Sequence, residues 1–258
     1  MPRRTVITGS AAGIGRALAD QLRGRGEDVV GVDLRDAEVV ADLSTPEGRA
    51  AAVAGVRELA GDRVDALVTC AGVAEPSPLM VRINYFGTVG LVTALQPLLA
   101  ASSAPRVAVI GSISGTMGND DRVRQACLDG DEEAGVTRAA ELTDSGRPHS
   151  IYPATKAAVA EWARRTSVSP GWADAGIALN VVAPGVVLTQ MTTGLFEDPV
   201  MRELMDAAVP MPLNGYAPPE AVAKVLAFLV SEDNTHVTGQ VVYVDGGAEV
   251  STRSADLF

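Results

Sequence analysis

The sequence predicts a single doubly wound α/β domain over residues 1–258, with a mainly parallel sheet. Three observations carry that prediction. Short β-rich runs alternate with helical patterns from end to end, the runs are apolar throughout, and the intervening segments show 3.6-residue periodicity. The runs are residues 5–8, 28–32, 66–69, 106–111, 177–183 and 241–244. Each is rich in Val and Ile with no polar alternation, as in strands buried on both faces of a parallel sheet. Between the first two, Ile14, Ala17, Leu18 and Leu22 form one apolar stripe, and before the last, Val222, Val225, Leu226, Leu229 and Val230 form another. No repeat, low-complexity tract or linker interrupts the series.

Two segments break the rhythm. Residues 115–150 are rich in Asp, Glu, Gly and Arg, and residues 188–219 carry Met191, Met201, Met205 and Met211 among prolines and glycines. Excursions of this length in a domain are functional or disordered. The second contains a short helix pattern at residues 199–208.

Composition narrows the function classes. Twenty-one basic against 32 acidic residues give a net charge of −11, which repels phosphate backbones and anionic bilayers, so neither nucleic acid nor a membrane is expected as a partner. No run of 18 uncharged apolar residues exists, and Met1-Pro2-Arg3-Arg4 leads into the first strand without an apolar signal core, so a cytoplasmic location is expected. Cys70 and Cys127 lack CxxC spacing, and His149 and His236 have no ligand-spaced neighbours, so no metal is expected. Of the 21 basic residues only Lys156 and Lys224 are lysine. An arginine-rich chain that keeps a lysine suggests a position where arginine cannot substitute.

The first strand runs into Thr8-Gly9-Ser10-Ala11-Ala12-Gly13-Ile14-Gly15, and the first amphipathic helix follows. Glycines at 9, 13 and 15 let the backbone turn tightly and approach a pyrophosphate at the helix N-terminus, where free N–H groups and the dipole favour anions. The alternative is an ordinary glycine-rich strand–helix turn. Asp33, with Leu34 beside it, closes the second strand 18 residues after Gly15. A carboxylate there accepts hydrogen bonds from adenosine ribose hydroxyls and repels a 2′-phosphate, which favours NAD over NADP. Arg35 is the counter-argument, as a base that could meet that phosphate.

Tyr152-Pro153-Ala154-Thr155-Lys156 opens a helix, and the four-residue spacing sets the tyrosine and the lysine on one face. A lysine charge nearby, together with a positive nicotinamide ring, is expected to lower the tyrosine pKa and make Tyr152 a general base or acid for an alcohol–ketone pair. Alone, the same spacing fits a solvated helix face.

Taken together, TGxxxGIG at the first turn, an acidic end to strand two and YxxxK after the fifth strand resemble the short-chain dehydrogenase/reductase family over essentially the whole chain. The resemblance implies a Rossmann-type domain and several further roles. Asp42 and Leu43 look like the pair that holds the adenine. Ala71 and Gly72 match the end of the family's Asn-Asn-Ala-Gly, whereas Thr69 and Cys70 do not. Asn84 resembles the asparagine that holds a water in the proton relay. Pro184, Gly185, Val187 and Thr189 resemble the segment that bonds the nicotinamide carboxamide. Both Ser112 and Ser114 follow strand five; Ser112 at the strand mouth fits the substrate-orienting serine better, with Ser114 as the alternative. Ser112 and Tyr152 are 40 residues apart, where a much shorter spacing is usual, so residues 115–150 read as an insertion. That gap, with residues 33–45 and Asn84-Tyr85-Phe86-Gly87, is similar to the bacterial hydroxysteroid dehydrogenase/carbonyl reductase subgroup, and coniferyl-alcohol dehydrogenases share part of the pattern. In that subgroup the insertion goes with an altered dimer contact, implying a homodimer; a surface excursion without an assembly role is the alternative.

Residues 188–219 occupy the position of the family's substrate lid. Met191, Leu195 and Phe196 are expected to line an apolar pocket for a small hydrophobic alcohol or ketone, steroid-like, terpenoid or aromatic. They can equally pack the lid onto the domain. A silent NAD-binding sensor is the reading from another class, and the complete Ser112, Tyr152 and Lys156 set argues against it.

Overall fold

Apolar strand runs too short to bury themselves must stack side by side and be covered on both faces, and the computed structural model has them do so. It describes residues 2–253 and 256–257, apart from the side chains of residues 194–197. Seven parallel strands form one sheet in the order β3-β2-β1-β4-β5-β6-β7. They are β1 (Arg4–Thr8), β2 (Asp28–Asp33), β3 (Val39–Val40), β4 (Ala66–Thr69), β5 (Arg106–Ile110), β6 (Ala178–Pro184) and β7 (Val241–Val244). Six of these are the runs visible in the sequence, with ends displaced by a residue at β1, β2, β5 and β6. β3 is additional, and at two residues it carries no periodicity to detect.

Strand residues alternate between two cores. Val6, Val30, Leu67, Val107 and Leu179 face one side, against α2 (Pro46–Ala60), α3 (Thr88–Ala100) and α6 (Ile151–Thr166). Ile7, Val29, Val68, Ala108 and Val182 face the other, against α1 (Gly13–Gly24) and α9 (Pro219–Leu229). Each fully buried aliphatic side chain contributes about 1.5–3 kcal/mol. A π-helical turn, Val81–Gly87, leads directly into α3. The combined stretch Val81–Ala100 is long and apolar enough to span a bilayer, with mean hydropathy 1.2. Here Leu91, Val92, Leu95 and Leu99 are spent in the core.

The polar residues 115–150, read as an excursion, fold into two helices, α4 (Asp121–Asp129) and α5 (Glu132–Asp144). Asp120 caps α4 through the Val123 N–H, and Asp131 caps α5 through the Ala134 N–H. Val123, Cys127, Ala139 and Leu142 join the core beneath α6. Residues 188–219 hold α7 (Gln190–Glu197) and α8 (Pro199–Ala208), and α10 (Ala248–Thr252) follows β7.

Candidate active site

The sheet reverses direction of growth between β1 and β4, and a cleft opens above the carboxyl ends of these strands, where open α/β sheets bind ligands. Its volume is about 420 Å3. Of the positions expected in it, Gly9, Ala12, Gly13, Ile14, Gly15, Asp33, Leu34, Asp42, Leu43, Ala71, Gly72, Ser112, Ser114, Tyr152, Lys156, Pro184, Gly185, Val187, Thr189 and Met191 all line the cleft. Asn84 lies behind the wall, and the side chains of Leu195 and Phe196 are outside the described residues.

At one end the glycine turn meets α1. Gly9 has φ +66°, and a Cβ on Gly15 would stand 2.2 Å from the Gly9 carbonyl oxygen, so only glycine lets the helix start this close to β1. The residue before α1 is Ala12, which provides no side-chain cap, so first-turn N–H groups face the cleft without a protein acceptor from that position. The Asp33 carboxylate accepts from the Ala11 N–H at 3.0 Å and from the Leu34 N–H at 2.7 Å, which fixes its direction at the end of β2. Arg35 is 82% exposed at its side chain and lies near Asp36. Asp42 is exposed, and its hydrogen bonds with Ser44 hold its carboxyl below the usual carboxylate range. Leu43 is buried.

At the other end, α6 begins at Ile151, so Tyr152 sits in the first turn and Lys156 one turn on. The Lys156 Nζ lies 5.6 Å from the Tyr152 ring centroid and donates to the Ile110 carbonyl oxygen at 2.9 Å. Lys156 is 4% exposed, and burial lowers its pKa to about 8, with Cys70 opposing. Burial raises the Tyr152 pKa above the usual phenol value, opposed by a hydrogen bond with Ser112. Burial thus sets the direction of the Tyr152 shift, whereas the lowering expected above was that of a lysine charge and a nicotinamide ring together.

Ser112 extends from β5 and accepts from the Ser114 N–H at 3.1 Å while pairing with Tyr152. Of the two serines, Ser112 is the one that acts on the Tyr152 phenol, favouring its ionised form. Asn84 is fully buried in the π-helical turn. Its Oδ1 accepts from the Val73 N–H at 2.8 Å and its Nδ2 donates to the Val73 carbonyl at 2.9 Å. The amide thereby fixes Val73, a cleft residue, and keeps one Oδ1 lone pair and one Nδ2 hydrogen for a further partner. Thr8 Oγ1 accepts from the Ala71 N–H at 3.1 Å, tying the ends of β1 and β4 together.

Much of the remaining lining is apolar: Val73, Ile113, Val186, Met205 and Val209 join Met191, which is 51% exposed. Sequence reasoning missed all of these as lining except Met191. Thr192 was missed as well: its hydroxyl forms a capping box with Thr189 at the start of α7, and the Thr-x-x-Thr spacing was the available signal.

Comparison with known proteins agrees with this geometry. Residues 3–123 match the family model described as short chain dehydrogenase, and residues 136–249 match that described as enoyl-(acyl carrier protein) reductase. The chain is 35% identical over 252 residues to the 3-alpha-hydroxysteroid dehydrogenase/carbonyl reductase of Comamonas testosteroni, covering 96% of this chain and 97% of the relative. It is 27% identical to the 3-oxoacyl-[acyl-carrier-protein] reductase FabG of Escherichia coli (strain K12), covering 94% and 95% of the two chains. The crystal structure of the 3-alpha-hydroxysteroid dehydrogenase from Pseudomonas sp. B-0831 complexed with NADH superposes with a TM-score of 0.90 at 40% identity, covering 99% of this chain and 100% of that one. A shared seven-stranded frame, related in sequence over nearly its whole length, makes this chain an oxidoreductase of the short-chain dehydrogenase/reductase family.

Proposed function

We propose that the protein interconverts a hydrophobic secondary alcohol, steroid-like or terpenoid, and its ketone, using NAD(H) and acting as a homodimer. The observation that carries this reading is the meeting of Ser112, Tyr152 and Lys156 where the glycine-turn end of the cleft passes into its apolar end. The glycine turn, the uncapped start of α1 and the directed Asp33 carboxylate suit a dinucleotide, with Asp33 favouring a free ribose over a 2′-phosphate. Bound there, NAD(H) supplies the hydride acceptor or donor.

Ser112, already accepting from Ser114, has its hydroxyl proton to donate to the substrate oxygen. Tyr152 gives its proton to a carbonyl oxygen in reduction and takes the hydroxyl proton in oxidation. Its raised pKa keeps it protonated at neutral pH. Ketone reduction is therefore expected to hold near neutrality and fall in alkali, while alcohol oxidation climbs with pH. Lys156 gives one N–H to Ile110 and has others for ribose hydroxyls.

The test is formation of reduced nicotinamide from 3α-hydroxysteroids, monoterpenols and coniferyl alcohol, with NAD and NADP in parallel. Tyr152→Phe should cut turnover about 10²–10⁴-fold and leave NADH binding unchanged; undiminished turnover overturns the assignment of the proton to Tyr152. Equal use of NADP overturns the cofactor reading, and preference for coniferyl alcohol replaces the substrate class.

A further inference from the structure

Beyond the residues that touch the cleft, one side chain bonds to the main chain of its wall. Residues 185–187 form part of that wall, and its buried peptide groups must find partners. The Gly185 N–H donates to the Val244 carbonyl at 3.1 Å and the Leu188 N–H to the Ala217 carbonyl at 2.9 Å, while the Val186 carbonyl accepts from the Ala217 N–H at 2.9 Å. The Val186 N–H instead donates to the thioether Sδ of Met211 at 3.3 Å. Val186 is 3% exposed and faces the cleft; Met211 does not line it. Met211 packs behind the wall in the apolar cluster that holds Ile113, Val186, Val209 and Tyr216. The next residues are pinned too, since the Leu213 N–H donates to the Gly246 carbonyl at 2.9 Å. One methionine thereby joins the return of the lid to the wall of the cleft.

We propose that Met211 is a positioning residue for nucleotide binding, its sulfur serving as the acceptor that sets the Val186 peptide and with it the orientation of segment 184–189. A thioether is a weak acceptor, and a buried peptide N–H would ordinarily pair with a carbonyl. The arrangement therefore gives the wall one compliant hydrogen bond at the residue that joins lid and cofactor ends. Leucine fills nearly the same volume without an acceptor, whereas glutamine places an amide oxygen at similar reach. The inference rests on the nucleotide site proposed above.

The experiment compares wild type, Met211→Leu and Met211→Gln by NADH binding followed through nucleotide fluorescence, with KM, kcat and thermal unfolding alongside. The expected result is NADH binding and nucleotide KM weakened about fivefold in Met211→Leu, as for one lost hydrogen bond, with kcat within about twofold. Met211→Gln should return to within about twofold of wild type. Wild-type binding in Met211→Leu overturns the proposal, and so does an equal loss in both variants, which would mark a packing role alone. Failure of the wild type to bind any dinucleotide would instead remove the site proposed above. If Met211→Leu does not fold, amide exchange in the wild type decides: a protected Val186 amide with near-normal Met211→Gln binding supports the proposal, and exchange at the rate of a free amide overturns it.

Discussion

Residues 115–150 and 188–219 are both excursions from the strand–helix rhythm, and their surfaces are opposite in character. The first is polar in sequence yet closes on itself. Asp120 and Asp131 cap its helices, Arg138 reaches Asp120 at 2.7 Å and Glu141 at 2.9 Å, and Arg124 reaches Glu161 on α6 at 2.7 Å. Val123, Cys127, Ala139 and Leu142 are buried, and among the described residues it leaves no large apolar side chain exposed. The second is apolar in sequence and stays open. α8 buries none of its residues, and Leu188, Met191, Val200, Met201, Leu204 and Leu213 are exposed around it. An amphipathic helix next to a protein face buries its apolar stripe; one that leaves the stripe in water is organised around something other than its own chain. The difference separates a segment built for stability from one proposed to serve the substrate.

Four substitutions or conditions would break or sharpen that contrast. Val123→Asp should be the most damaging, because it places an unpaired carboxylate at a position with no exposure; a loss of about 4 kcal/mol or more is expected in denaturant unfolding. Asp120→Ala removes the α4 cap and the Arg138 partner together, and about 1–2 kcal/mol should be lost with turnover retained. Acid titration should find the same weak point. Hydrogen bonding to Arg138 lowers the Asp120 pKa, so its stabilisation is present above the ordinary carboxylate range and is lost as pH falls through the lowered value. Calorimetry down the pH scale should show that dependence in the wild type and a weaker one in Asp120→Ala. Smallest of all, Leu204→Ser on the 59%-exposed lid position should change stability by no more than about 0.5 kcal/mol. It should raise KM for an apolar alcohol about threefold. A marked drop in thermal stability with unchanged KM would put the lid in the same class as residues 115–150.

The parts of this molecule written in short range were legible in the sequence, and those assembled across it were not. The strands show as Val/Ile runs, and the glycine turn and the Tyr152–Lys156 pair show because neighbours in sequence are neighbours in space. The helices of residues 115–150 were obscured by acidic composition, although Asp120 three residues before Val123 and Asp131 three before Ala134 are capping signatures. Val73 after β4 and the Met205–Val209 end of α8 reach the cleft from elements far apart in the sequence, and nothing local marks them as lining. The burial of Tyr152 was hidden for the same reason. Spacing shows which groups are close, whereas the depth of burial that decides between field and desolvation belongs to the whole fold.

The strand order has a consequence for synthesis of the chain. β2 adds beside β1 and β3 beside β2; growth then moves to the other side of β1, where β4, β5, β6 and β7 follow in turn. Every strand leaving the ribosome meets a neighbour already made, and no strand has to wait for one still untranslated. The nascent sheet need present only one growing edge once β3 is in place, which limits the time that unpaired strand edges are open to other chains.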